Sequence, residues 1–109
     1  MNWLQIVSYF FGAGFLVNAM PHFVSGMMGE PFQTPFAKPH GKGLSSSTVN
    51  VAWGFANFVF AYFLLLRVGQ FDPRSIACIT PFAAGALLMS LFSAWNFGQF
   101  HGGNAPERP

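Results

Sequence analysis

The sequence predicts an all-α integral membrane protein: a single-domain three-helix bundle, with a tight hairpin joining helices two and three and a long Pro/Phe-rich interfacial loop after helix one. Composition is the first observation behind this. Of 109 residues, 52% are hydrophobic and 7% charged, whereas soluble domains carry roughly 25% charged residues. Charge placement is the second. Glu30, Lys38 and Lys42 form one cluster, Arg67, Asp72 and Arg74 another, and Glu107 and Arg108 the last. The uncharged stretches 1–29, 43–66 and 75–106 each supply the roughly 20 apolar residues that cross a hydrocarbon core. A soluble fold would have to bury fifteen Phe and three Trp beneath a surface that is normally about 25–35% charged. This chain lacks the charges to make that surface.

The first span is expected over about 2–24, starting at Asn2 or Trp3. Pro21 removes an amide donor and disfavours helical geometry in the preceding residue, so a kink or an end is expected near Met20. No Lys or Arg precedes the apolar run and no small-x-small cleavage pattern follows it, which marks a retained span rather than a secretory signal. The second span, 47–68, has hydroxyl residues placed for a serine N-cap and Gly69 placed as its C-cap. The third, 73–97, is expected to start with Asp72 as N-cap and Pro73 as first helical residue, and to bend near Pro81. A connection of about three residues, Gln70 to Asp72, predicts the antiparallel hairpin.

The loop, 25–46, carries prolines at 31, 35 and 39. Proline biases its neighbours toward extended backbone, whose amides lipid cannot satisfy, so the segment belongs at the interface or packed on the bundle. Phe32 and Phe36 are expected to dip toward acyl chains while Lys38 and Lys42 meet lipid phosphates. A short polar tail, 98–109, closes the chain. The expected location is a membrane crossed several times, taken to be a bacterial inner membrane. Orientation is weakly specified, because Lys38, Lys42 and Arg108 on one face nearly balance Arg67, Arg74 and the amino terminus on the other.

Several function classes are excluded. Five Lys and Arg residues spread over three clusters offer no patch for nucleic acid. Cys78 is the single cysteine, so no intramolecular disulfide forms and packing is its expected role. "HGKGLSSS" lacks the leading glycine of a phosphate-binding loop, since Phe36 stands at that position. No acidic residue lies within a span, which disfavours proton-coupled pumping. No catalytic set is legible, and no cofactor is identified.

Polar residues gather on the loop face. A candidate ligand site comprises Asn18, His22, His40, Asn50, Trp53, Asn57 and His101, with Phe32, Phe36 and Trp95 as apolar walls; pockets of this kind join apolar lining to a few convergent polar groups. Asn50, Gly54, Asn57 and Ala61 fall on one stripe of the second helix at 100° per residue. Such amides either line a polar site or bond across helices, the latter worth roughly 0.6 kcal/mol per contact. His22, His40, His101 and Glu30 are weak candidates for a metal, because no pair has the spacing of a metal motif. Small residues, Ala83, Ala86, Ser90 and Ala94 on the third helix and Ser8, Gly12 and Ala19 on the first, permit close helix packing. The partners expected are therefore the lipid bilayer and either further copies or other membrane subunits. The functional expectation is a packing subunit of such an assembly, with binding or passive passage of a small solute, lipid or quinone-like ligand as the alternative.

Overall fold

The computed structural model describes residues 1–106, so the expected position of Arg108 on the loop face lies outside the described residues. Three helices long and apolar enough to cross a membrane dominate it. Helix α1 spans Trp3–Met27, α2 spans Ser47–Tyr62 and continues as a π-helical segment over Phe63–Val68, and α3 spans Ile76–His101. The loop between α1 and α2 contains two short strands, β1 (Phe32–Gln33) and β2 (Leu44–Ser45), paired antiparallel with Phe32 opposite Ser45. That ribbon corrects the purely helical expectation. It gives the loop's backbone amides and carbonyls partners within the protein, which an extended segment beside lipid requires.

Each start signal is visible, one of them displaced. Asn2 caps α1 in a reciprocal capping box with Gln5, and Ser46 caps α2 by accepting from the Val49 amide. Asp72 and Pro73, expected to open α3, instead form a turn in which the Asp72 carboxylate accepts from the Arg74 amide and its carbonyl from that of Ser75. Ser75 is the true N-cap, its hydroxyl accepting from Cys78. Pro21 does not end α1, which continues to Met27. Packing of its last turns against α2 and the ribbon outweighs the lost amide. The third helix likewise reaches His101, so the first residues of the expected tail are helical.

The arrangement of the helices differs from a hairpin bundle. Helix α1 packs against both α2 and α3, whereas α2 and α3 scarcely approach each other. The expected tight hairpin is thereby corrected. Tyr9 on α1 is wedged between its two neighbours, donating to the Gly69 carbonyl and packing edge-on against Phe71, which in turn lies on Phe82 of α3. Ala61, Leu65 and Cys78 complete this core cluster around Tyr9. Gly69 ends the helical segment as expected, but with φ of −88°; its lack of a side chain matters because a Cβ would lie 2.5 Å from Ser8 Oγ and Tyr9 Cε1.

Close contacts fix the directions of the helices. Gly12 meets Leu65, Gly54 meets Phe23 and Gly26 meets Val51, so α2 runs antiparallel to α1. Phe10 meets Gly85, Gly14 meets Met89 and His22 meets Phe97, a constant offset of 75 positions, so α3 runs parallel to α1. The end of α1, the start of α2 and the end of α3 therefore share one end of the molecule with the β ribbon.

Candidate polar cavity beneath the ribbon

At that shared end, α1 and α2 are joined by two polar rungs. Asn18 Nδ2 donates to Asn57 Oδ1 at 3.1 Å, and one turn further on His22 Nδ1 meets Asn50 Oδ1 at 2.9 Å. All four residues of the Asn50, Gly54, Asn57, Ala61 stripe are buried, as their helical spacing anticipates. The Asn50 amide nitrogen lies 3.1 Å from each of the Phe32, Ser45 and Ser46 carbonyls. Its NH2 group must face those acceptors, so Oδ1 faces His22. The His22 Nδ1 atom is then the donor, and the neutral ring carries its lone pair on Nε2. No protein partner meets Nε2 among the described residues.

Aromatic rings surround His22, which is 2% exposed. Phe32, Trp53 and Phe97 meet it edge-on with ring centroids 5.4, 6.4 and 5.8 Å away. Phe32 was expected to dip toward acyl chains. It is instead buried inside the protein, because β1 turns it toward His22 and its other face stacks on His101, with centroids 5.2 Å apart and planes within 8°. Phe36, half exposed, packs on Trp53.

Beside His22 lies a cavity of about 170 Å³ walled by all three helices and the loop. Asn18, His22, Gln33, Thr34, Trp53 and Asn96 supply polar groups, and Phe92 and Phe97 an apolar wall. That volume resembles the roughly 150 Å³ of an engineered cavity that accepts benzene. Among the described residues, no charged side chain lines it. Trp53 keeps its indole Nε1–H buried without a hydrogen-bond partner among the described residues, an omission that costs about 1–3 kcal/mol unless something else accepts it.

The expected site is thus partly assembled. Asn18, His22 and Trp53 line the cavity; Asn50 and Asn57 stand behind it as the groups that hold His22 and Asn18. His101 does not line the cavity; it stands outside it, with Nε2 3.0 Å from Gln33 Oε1. His40 does not belong: it is exposed on the loop and bonded to the Pro35 carbonyl at 2.8 Å, where Pro35 and Pro39 direct the chain outward. Trp95 is 64% exposed and walls nothing. Lys38 and Lys42 are exposed on the loop, as is Glu30 just past α1. The weak metal candidates do not converge, and no group of three or more His, Cys, Asp or Glu side chains suited to a metal occurs among the described residues. Gln33, Thr34 and Phe97 were not anticipated. The polar pair between Phe32 and Pro35 was the one available signal.

No protein-family model, curated protein or solved structure matches this chain.

Proposed function

We propose that the chain is a multi-pass integral membrane protein that binds a small neutral molecule in the His22–Trp53 cavity at one membrane face, with the β ribbon as its lid. Large apolar side chains exposed around all three helices, Phe11, Phe55, Phe63, Leu66, Leu88 and Leu91 among them, support a lipid-facing surface, since soluble monomers rarely expose apolar patches beyond a few hundred Å². The convergence of Asn18, His22 and Gln33 on one cavity carries the ligand reading. His22 Nε2 and Asn18 Oδ1 supply acceptors, and the Trp53 N–H, sealed and without a partner among the described residues, becomes a donor when the indole shifts toward the same space. A hydroxylated aromatic ring fits this set, because its O–H donates and its oxygen accepts. The absence of charged lining among the described residues disfavours an ion, whose desolvation would go uncompensated.

Hydroquinone is a suitable probe, followed by native mass spectrometry and tryptophan quenching in nanodiscs. Saturable one-to-one binding is expected, weakened about tenfold or more in Trp53→Phe, which keeps the ring but deletes a hydrogen bond worth about 1.5 kcal/mol. Affinity unchanged from wild type in both Trp53→Phe and His22→Ala, or no saturable binding, would refute the ligand reading. A packing-subunit role remains the second reading, favoured by the exposure of Ala83, Ser90 and Ala94 on α3. The corresponding stripe on α1 is consumed internally, since Ser8, Gly12 and Ala19 are buried. The same mass spectra report assembly state and separate the two.

A further inference from the structure

A second concavity, about 630 Å³, runs along the outside of α1 and α3, between Val17, Met20 and Pro21 on one side and Ser90, Ser93 and Ala94 on the other. Serine and alanine at positions 90, 93 and 94 fall on one helical face, so α3 presents a trough where larger side chains would fill the space. Phe97 lines both this groove and the polar cavity. Its ring lies 4.7 Å from that of Phe32 and 5.8 Å from that of His22, centroid to centroid. The partition between the two spaces therefore includes a side chain, and rotation of Phe97 would open one to the other.

The groove is mostly apolar, with Ser90 and Ser93 along α3 and His101 and Asn104 toward the ribbon. Ser93 Oγ is itself sealed, with no hydrogen-bond partner among the described residues. The cavity alone falls below the roughly 300–1,000 Å³ of pockets that enclose a whole drug-sized ligand, and the groove falls within that range.

We infer that the ligand is a neutral amphiphile, with a hydroxylated ring in the His22–Trp53 cavity and a single apolar tail in the α1–α3 groove, admitted sideways from the bilayer past Phe97. This rests on the cavity's being a ligand site, and its test separates the two. The probes are hydroquinone and a decyl-substituted hydroquinone bearing a terminal diazirine, both offered to wild-type protein in phosphatidylcholine nanodiscs. Photolabelling by the tailed probe is expected to map to Met20, Ser90 and Ala94. Ala94→Phe, at an exposed position, is expected to lower affinity for the tailed probe by about tenfold, equivalent to losing burial of about two methylenes, and to leave hydroquinone affinity unchanged. Hydroquinone binding with labels scattered over α2, or with Ala94→Phe indifferent to the tail, overturns the amphiphile inference and leaves the cavity site standing. Failure of hydroquinone itself to bind overturns both. A wild-type dimer that Ala94→Phe dissociates identifies a second copy as the groove's occupant and also overturns it.

Discussion

Asn50 meets groups on three different segments: the His22 ring on α1, the Phe32 carbonyl on β1, and the Ser45 and Ser46 carbonyls at the entry to its own helix, the two amide hydrogens being shared among the three carbonyls. Its residue is fully buried, so no water replaces it when it is lost. Asn50→Leu orphans the His22 donor and removes the side-chain amide from the Phe32 and Ser45 carbonyls, whereas the Ser46 carbonyl keeps the backbone amide of residue 50; the cost is about 1–3 kcal/mol for each group left unsatisfied. Asn57→Ala breaks one rung, but Asn18 lines the cavity, where water can take the lost place, and the cost is closer to the roughly 0.6 kcal/mol average of interhelical hydrogen bonds in membranes. Thermal unfolding in mild detergent should therefore show a clearly larger fall in Tm for Asn50→Leu, together with faster trypsin cleavage after Lys42 as the ribbon loosens. Equal Tm values for the two variants would show that Asn50 is an ordinary helix contact. The importance of Asn50 and Asn57 was legible in the sequence because helical spacing alone aligns them with Gly54 and Ala61. Their partners were not, since nothing local pairs position 50 with 22 or brings Phe32 back onto a helix it has left.

At the level of elements, glycine sets how near the helices come. A Cβ on Gly85 would strike the Phe10 carbonyl oxygen, and one on Gly54 would lie 2.7 Å from the Phe23 amide nitrogen. Backbone cannot rotate away as a side-chain tip can. Gly85→Ala and Gly54→Ala should each push a helix off α1 and destabilise by about 1–3 kcal/mol, the usual cost of overpacking. Gly14→Ala is the control, because its nearest neighbour is the flexible Met89 Cε at 3.8 Å; there the alanine should be neutral or gain up to about 1 kcal/mol of helix propensity. Matching melting curves for Gly14→Ala and Gly85→Ala would refute this account of the packing. Spans and caps could be read from charge-free lengths and hydroxyl placement. The identity of the third cap could not, because Asp72-Pro73 and Ser75 both carry start signals and only the turn joining Asp72 to Arg74 and Ser75 decides between them. The order of packing was equally hidden: a short connection makes neighbours of α2 and α3 in sequence, yet Tyr9 and Phe71 hold α1 against both.

For the whole molecule, the central place of α1 has a consequence for how each helix meets its surroundings. Only 11% of the most apolar window of α3 is buried, against 33% for α1 and 28% for α2 with its extension, so α3 is attached along one narrow face and presents most of its surface outward. The longest extent, 48 Å, is close to the roughly 40–45 Å of a bilayer with its headgroups, so the proposed insertion would put the ribbon and the Arg67–Arg74 region at opposite surfaces. Single cysteines introduced at Lys42, Asn104 and Arg74 in a Cys78→Ala background test this with an impermeant thiol reagent. Lys42 and Asn104 flank the shared end of α1, α2 and α3, whereas Arg74 lies in the connection at the other. The near balance of Lys and Arg between the two faces leaves insertion free to occur both ways, and the test allows for that. If the protein inserts uniformly, Lys42→Cys and Asn104→Cys label from one side and Arg74→Cys from the other; if it inserts both ways, the labelled fractions at Lys42 and Asn104 still agree with each other and complement the fraction at Arg74. Equal and complete labelling of Lys42→Cys and Arg74→Cys from a single side of sealed vesicles would mean that the three helices do not cross the bilayer in alternation, and with that the cavity would lose its place at a membrane face.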